Sequence, residues 1–109
     1  MNDTWTFVCT ETELLPGEMK TVCDDITGTP IVVFNIDGEL YALEDRCSHE
    51  DYPLSPGHFD PTTGSIECPL HSACFDIRNG QPLCAPAYTP VMPFPVKREQ
   101  TTIWTRDNR

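Results

Sequence analysis

Several things are scarce or missing in this chain, and each absence closes off a class of function. No apolar run approaches the roughly 18 residues of a membrane-spanning helix, so no membrane partner is expected. The start, MNDTWTFVCTETELLPGEMK, lacks a basic stretch followed by an apolar one, so no secretion signal is predicted and the expected location is the cytoplasm. Lysine and arginine are few: 7 against 17 acidic residues, a formal charge of −10. Nucleic-acid binding rests on neutralising phosphates with bases, so that partner class is excluded too. Helical periodicity is poor throughout. Repeats, low-complexity tails and a compositional linker are also missing, so the 109 residues are expected to form one domain, 1–109.

Short β-prone segments separated by turn residues run through most of the chain, which predicts a small all-β domain. Strands are expected at 4–10, 18–24, 30–36, 39–45, 58–60, 65–69, 73–78, 94–99 and 101–106. Asp37-Gly38 marks a tight hairpin, Asn79-Gly80 a turn and DPTTGS a longer hairpin tip. CSHEDYPLSPG and QPLCAPAYTPVMP are too rich in proline to alternate, so both are expected to be loops.

The chain holds 6 cysteines and 3 histidines. A reducing compartment favours a metal site over a disulfide scaffold. Four residues stand out: Cys47-x-His49, then, after eighteen residues, Cys68-x-x-His71. Two thiolates and two imidazoles suit a borderline-soft metal, and the two pairs flank a predicted hairpin that would bring two loops together. A buried structural cysteine or an unrelated surface histidine would explain one pair but not both. A zinc finger pairs cysteine with cysteine and histidine with histidine around a helix, whereas here each pair is mixed and no helix follows. A nucleophilic thiol needs one base and an oriented third group, which this doubled arrangement does not resemble.

The pattern closely resembles the Rieske family, whose [2Fe–2S] cluster has two cysteines on one iron and two histidines on the other. CSHEDYPLSPGHF, with Leu54-Ser55 and Gly57, is similar to the first cluster loop of ferredoxins that serve aromatic-ring dioxygenases. IECPLHSACFDIRNGQP is similar to the second loop and its hairpin, and APAYTPVMPFPVK to the proline-containing segment after it. The resemblance covers roughly residues 40 to 98. It implies an antiparallel β-sandwich or barrel, with a small cluster-binding subdomain at about 46–86 formed by two loops at one end. It further implies Cys47 and Cys68 on the inner iron, and His49 and His71 on the outer iron facing solvent. The function it implies is that of a soluble one-electron carrier rather than an enzyme. It would accept electrons from a flavin-containing, NAD(P)H-dependent ferredoxin reductase and pass them to a terminal Rieske oxygenase in aromatic compound degradation. A monomer that docks transiently through its acidic surface is expected. The alternatives are a structural zinc-binding interaction module and a small Rieske-like subunit of another oxidoreductase.

Departures from the family pattern carry further expectations. Glu50 and Ser72 stand where glycine often follows each ligand histidine. The longer gap between the pairs is assigned to the DPTTGS tip. The respiratory branch has a disulfide between its cluster loops, and the corresponding positions here are Tyr52 and Leu70. That branch also has hydroxyl donors where this chain has Ala73 and Phe75. Fewer donors predict a potential toward the low end of the Rieske range, around −150 mV. Glu50 and Asp51 push the same way. A carboxylate about 8 Å from the cluster, at an effective dielectric of about 20, opposes an added electron by roughly 2 kcal/mol before screening.

Of the remaining thiols, Cys74 is expected on the outward face of its strand with Asp76 and Arg78, while Ala73, Phe75 and Ile77 point inward. Cys9 and Cys23 are expected as buried, reduced thiols, and Cys84 has no assigned role. His58 is expected to be an ordinary strand residue. Trp5 and Trp104 are expected in the core.

Overall fold

The computed structural model describes residues 4–46, 53–68, 73–84 and 89–108. Eleven strands occur among these: β1 (Thr6–Thr10), β2 (Met19–Cys23), β3 (Pro30–Ile36), β4 (Glu39–Glu44), β5 (His58–Asp60), β6 (Ser65–Glu67), β7 (Cys74–Asp76), β8 (Pro82–Cys84), β9 (Pro93–Phe94), β10 (Val96–Glu99) and β11 (Thr102–Thr105). They form three antiparallel sheets, ordered β1-β11-β10, β2-β3-β4-β9 and β5-β6-β7-β8. The only helical element among the described residues is a 3-10 turn at Glu11–Glu13.

The second sheet lies between the other two, and β3 explains why. Its run PIVVFNI is apolar on both faces, which suits a strand with no solvent side. Ile31 and Val33 join Val8, Cys9, Leu14, Ala42, Phe94 and Ile103 in a core against the first sheet. Val32, Phe34 and Ile36 join Leu43, Leu54, Ile66, Cys68, Ala73, Phe75, Ile77 and Val91 in a core against the third. Phe34 meets Phe59 of β5 edge to face, with ring centroids 5.0 Å apart, and this contact clasps the two sheets. Asn35, the one polar residue buried in β3, is satisfied: its amide donates to the Leu14 carbonyl and its Oδ1 accepts from Gly38 N–H.

The hairpin signals hold. Asp37 and Gly38 take φ of 54° and 91°, the pair of positive values that a two-residue β-turn requires. β5 and β6 pair with Asp60 opposite Ser65, so DPTTGS is indeed a hairpin tip. Three expectations need correcting. Residues 82–84 were expected in a loop but form the edge strand β8; it is only three residues long and begins with Pro82, which removes both alternation and an N–H from the sequence signal. The single strand expected at 94–99 is two, because the chain passes from the second sheet to the first at Pro95. Phe94 pairs with Ala42, whereas Val96 pairs with Thr105, and the Pro95 carbonyl accepts from Thr105 Oγ1 at 2.8 Å. The tryptophans are half-buried rather than central. Ile103 and Thr105 take the inward positions of β11, so Trp104 faces out against Phe7. Trp5 lies beneath Lys97 and Arg106, whose charges sit 4.5 and 4.7 Å from its ring centre.

Candidate metal centre

Three chain segments are gathered at one end of the third sheet, and each is fixed at its stem. The second Cys–His pair begins at Cys68, directly after β6. Cys68 is 1 % exposed and belongs to the apolar core with Leu54, Ala73, Phe75 and Val91. Its N–H donates to the Ala73 carbonyl at 2.6 Å, so the chain leaves at Cys68 and is back beside it five residues later. The first pair follows β4. Asp45, buried at the entrance, donates its N–H to the Pro30 carbonyl at 2.9 Å. Its Oδ1 accepts from Ser55 N–H at 2.8 Å, which clamps the outgoing limb of the loop to the incoming one.

The two loops meet at Gly57. Its N–H donates to the Leu54 carbonyl at 2.8 Å, and a Cβ at this position would overlap the Glu67 carbonyl oxygen. Only glycine lets the first loop lie against β6 one residue before Cys68. Gly80 does the same for the third segment. It has φ of +76°, a side chain there would overlap the Val91 carbonyl oxygen, and its own carbonyl accepts from Val91 N–H at 2.8 Å. Met92 then accepts from Glu44 N–H at 2.8 Å, which returns the proline-containing segment to the foot of the first loop.

Of the four predicted ligands, Cys68 is thus a buried thiol where the loop stems join. Cys47, His49 and His71 lie outside the described residues, as do Glu50, Asp51, Tyr52, Leu70 and Ser72. Cys74 is on the outward face of β7, half-buried, while Ala73, Phe75 and Ile77 are fully buried, as the alternation predicts. His58 opens β5 and is exposed. Cys9 is buried and reduced, with burial raising its thiol pKa more than nearby Lys20 lowers it. Cys23 is reduced but exposed, because β2 is an edge strand whose alternation turns it outward. The Asp45–Ser55 clamp has no sequence signal, since an aspartate after a strand reads as surface. The roles of Gly57 and Gly80 are hinted at only by their place after proline and asparagine.

The described stems thus bring the starts and ends of both predicted ligand segments to one end of the third sheet, around a thiol sealed from water. Residues 4–95 match the Rieske [2Fe-2S] domain, and the chain belongs to that family. The chain is 43% identical over 91 residues to the 3-phenylpropionate/cinnamic acid dioxygenase ferredoxin subunit of Photorhabdus laumondii, covering 83% of this chain and 82% of that one. It superposes on the ferredoxin of carbazole 1,9a-dioxygenase from Nocardioides aromaticivorans IC177 with a TM-score of 0.87 and 33% identity, over 95% of this chain and 98% of that one. A ferredoxin solved in complex with the oxygenase of carbazole 1,9a-dioxygenase gives a TM-score of 0.86 at 28% identity, over 96% and 94% of the two chains.

The described residues fit the family's cluster. Burial of Cys68 would keep water from its sulfur if it held iron, whereas a nucleophilic thiol in the same place would have no access to substrate. The residues packed around it, Leu54, Ala73, Phe75 and Val91, have no side-chain hydrogen-bond donor. The cofactor is one Rieske-type [2Fe–2S] cluster and the role is electron transfer, not bond-making chemistry. Among the described residues no helix is long and apolar enough to cross a membrane.

Proposed function

We propose that this protein is the ferredoxin of a multicomponent aromatic-ring dioxygenase, passing single electrons from a flavin-containing, NAD(P)H-dependent reductase to a terminal Rieske oxygenase. The observation that carries the reading is the buried Cys68 at the junction of two clamped loops, in a chain that matches dioxygenase ferredoxin subunits over most of their length. Cys47 and Cys68 are the thiolate ligands, and His49 and His71 the imidazole ligands. When bound, the [2Fe–2S] cluster takes up and releases one electron.

The chain's own residues do the rest. Asp45, Ser55 and Gly57 set the first loop against β6, and the Cys68–Ala73 hydrogen bond sets the width of the second. Leu54, Phe75 and Val91 exclude water from the Cys68 thiol that would hold the cluster. The surplus of acids steers the protein toward basic faces on its two partners in turn, through encounters that are weak and salt-sensitive. The protein works as a cytoplasmic monomer of one domain, 1–109, whose cluster-binding part is about 46–86.

Protein purified without air should be brown, hold iron and acid-labile sulfide, and give a Rieske electron-paramagnetic signal on reduction. Colourless protein containing zinc would instead establish the structural zinc module. Mixing the loaded protein with a purified reductase and oxygenase of this class should restore turnover that either omission abolishes. Its rate should fall as salt rises, and a rate unchanged by salt would remove electrostatic docking from the account.

A further inference from the structure

The outward face of the third sheet places two thiols together where the sequence sets them ten residues apart. Cys74 of β7 is the direct cross-strand partner of Cys84 of β8. The pairing depends on a bulge: Phe75 faces Pro82, so a regular ladder would set Leu83 against Cys74. One extra residue on β8 puts Leu83 out to solvent, 55% exposed, and advances Cys84 into the place opposite Cys74. Directly opposed Cα atoms in antiparallel strands lie about 4.5 to 5.5 Å apart, within the span that a disulfide bridges. Both thiols are reduced. Cys74 also donates to Glu67 Oε2 at 3.9 Å. Neither thiol belongs to the predicted ligand set.

We propose that Cys74 and Cys84 form a reversible thiol-modification site, which a low-molecular-weight disulfide such as glutathione disulfide converts to an intramolecular cross-strand disulfide. The two thiols have unequal parts. Cys84 is exposed on an edge strand and meets the oxidant first. Cys74 is half-buried, its thiol pushed up to about 12 by burial, then by Cys84 and Glu67, so it stays protonated and unreactive toward a reagent in solution. Cys84 loses its proton to solvent, and its sulfur attacks one sulfur of glutathione disulfide. That S–S bond breaks, one glutathione leaves, and a mixed disulfide stands at Cys84. Held against that sulfur by the cross-strand pairing, Cys74 then attacks it, and its proton leaves with the second glutathione. Two protein thiols are oxidised and one glutathione disulfide is reduced to two glutathiones. The new bond staples the edge strand that leads into the proline-containing segment onto the strand that follows the second ligand loop.

The test is made on cluster-loaded protein incubated without air with glutathione disulfide; its visible absorption is read, and it is then denatured, blocked with N-ethylmaleimide and weighed. The expected product carries two maleimide adducts fewer than the untreated protein, lacks them at Cys74 and Cys84 together, and yields a proteolytic fragment joining the two. Its visible absorption is retained, showing the ligand thiols untouched. Cys74→Ser should trap a stable glutathione adduct on Cys84, and Cys84→Ser should leave Cys74 unmodified. A persistent adduct on Cys84 in the unaltered protein, undiminished labelling of both thiols, or a link from Cys84 to Cys23 would each overturn the proposal.

Discussion

The two ends of the molecule are held together by different means. The first and second sheets have strands of up to seven residues and share a core that β3 fills from within. Their far edge is tied by polar contacts: Asp24 accepts N–H bonds from Ile26, Thr27 and Asp107, and Asp107 in turn accepts from the hydroxyls of Thr27 and Thr29. The third sheet has four strands of three residues each, short for independent stability. It depends on one shared apolar layer and on backbone approaches at Gly57 and Gly80. One end is held by its own burial. The other has its geometry set by fit, and a bound cluster would add to its stability.

The sharpest break of this contrast is Cys68→Ser, which should abolish iron binding while far-ultraviolet circular dichroism keeps the β signature of the first two sheets. Loss of both together would mean that the sheets depend on the metal. Next comes a pair of variants. Ile103→Ala empties the core between the first two sheets and should cost about 2–5 kcal/mol, with bleaching and loss of circular dichroism at one temperature. Gly57→Ala forces the first loop off β6, so bleaching should precede unfolding by a clear interval.

A smaller effect is expected at the polar edge. Burial opposes the charge of Asp24, but the N–H bonds from Asp107, Thr27 and Ile26 outweigh it and hold its pKa below the ordinary value. The carboxylate therefore contributes stability that is fully present above the unfolded pKa, near 3.9, and is lost as pH falls through the lower folded value. Asp24→Ala should cost about 1–3 kcal/mol at neutral pH by denaturant titration, and the gap from the unaltered protein should narrow in strong acid. A constant gap would assign the loss to packing alone. The smallest effect is electrostatic: Glu50→Gln should raise the cluster's midpoint by tens of millivolts in a redox titration, a downward or null shift meaning that Glu50 points away.

How much was legible follows the same division. β3 and β4 were readable because burial on known faces writes a pattern into seven or six residues, and Asp37-Gly38 fixed their register. The proposed ligand set, Cys47, His49, Cys68 and His71, rests on the sequence, because coordination chemistry restricts both residue type and spacing. β8 was not, since three residues beginning with proline carry no period. Nor was the outward turn of Trp104, which depends on which face of β11 meets the core.

By itself the sequence determined the strand-rich class and the hairpin turns, because each is a property of neighbours along the chain. Tertiary structure alone decided that Pro95 moves the chain between sheets, that Gly57 and Gly80 each take a foreign carbonyl against their backbone, and that a bulge opposes Cys84 to Cys74. Those depend on register and close approach between segments distant in sequence, where a shift of one residue changes which atoms meet.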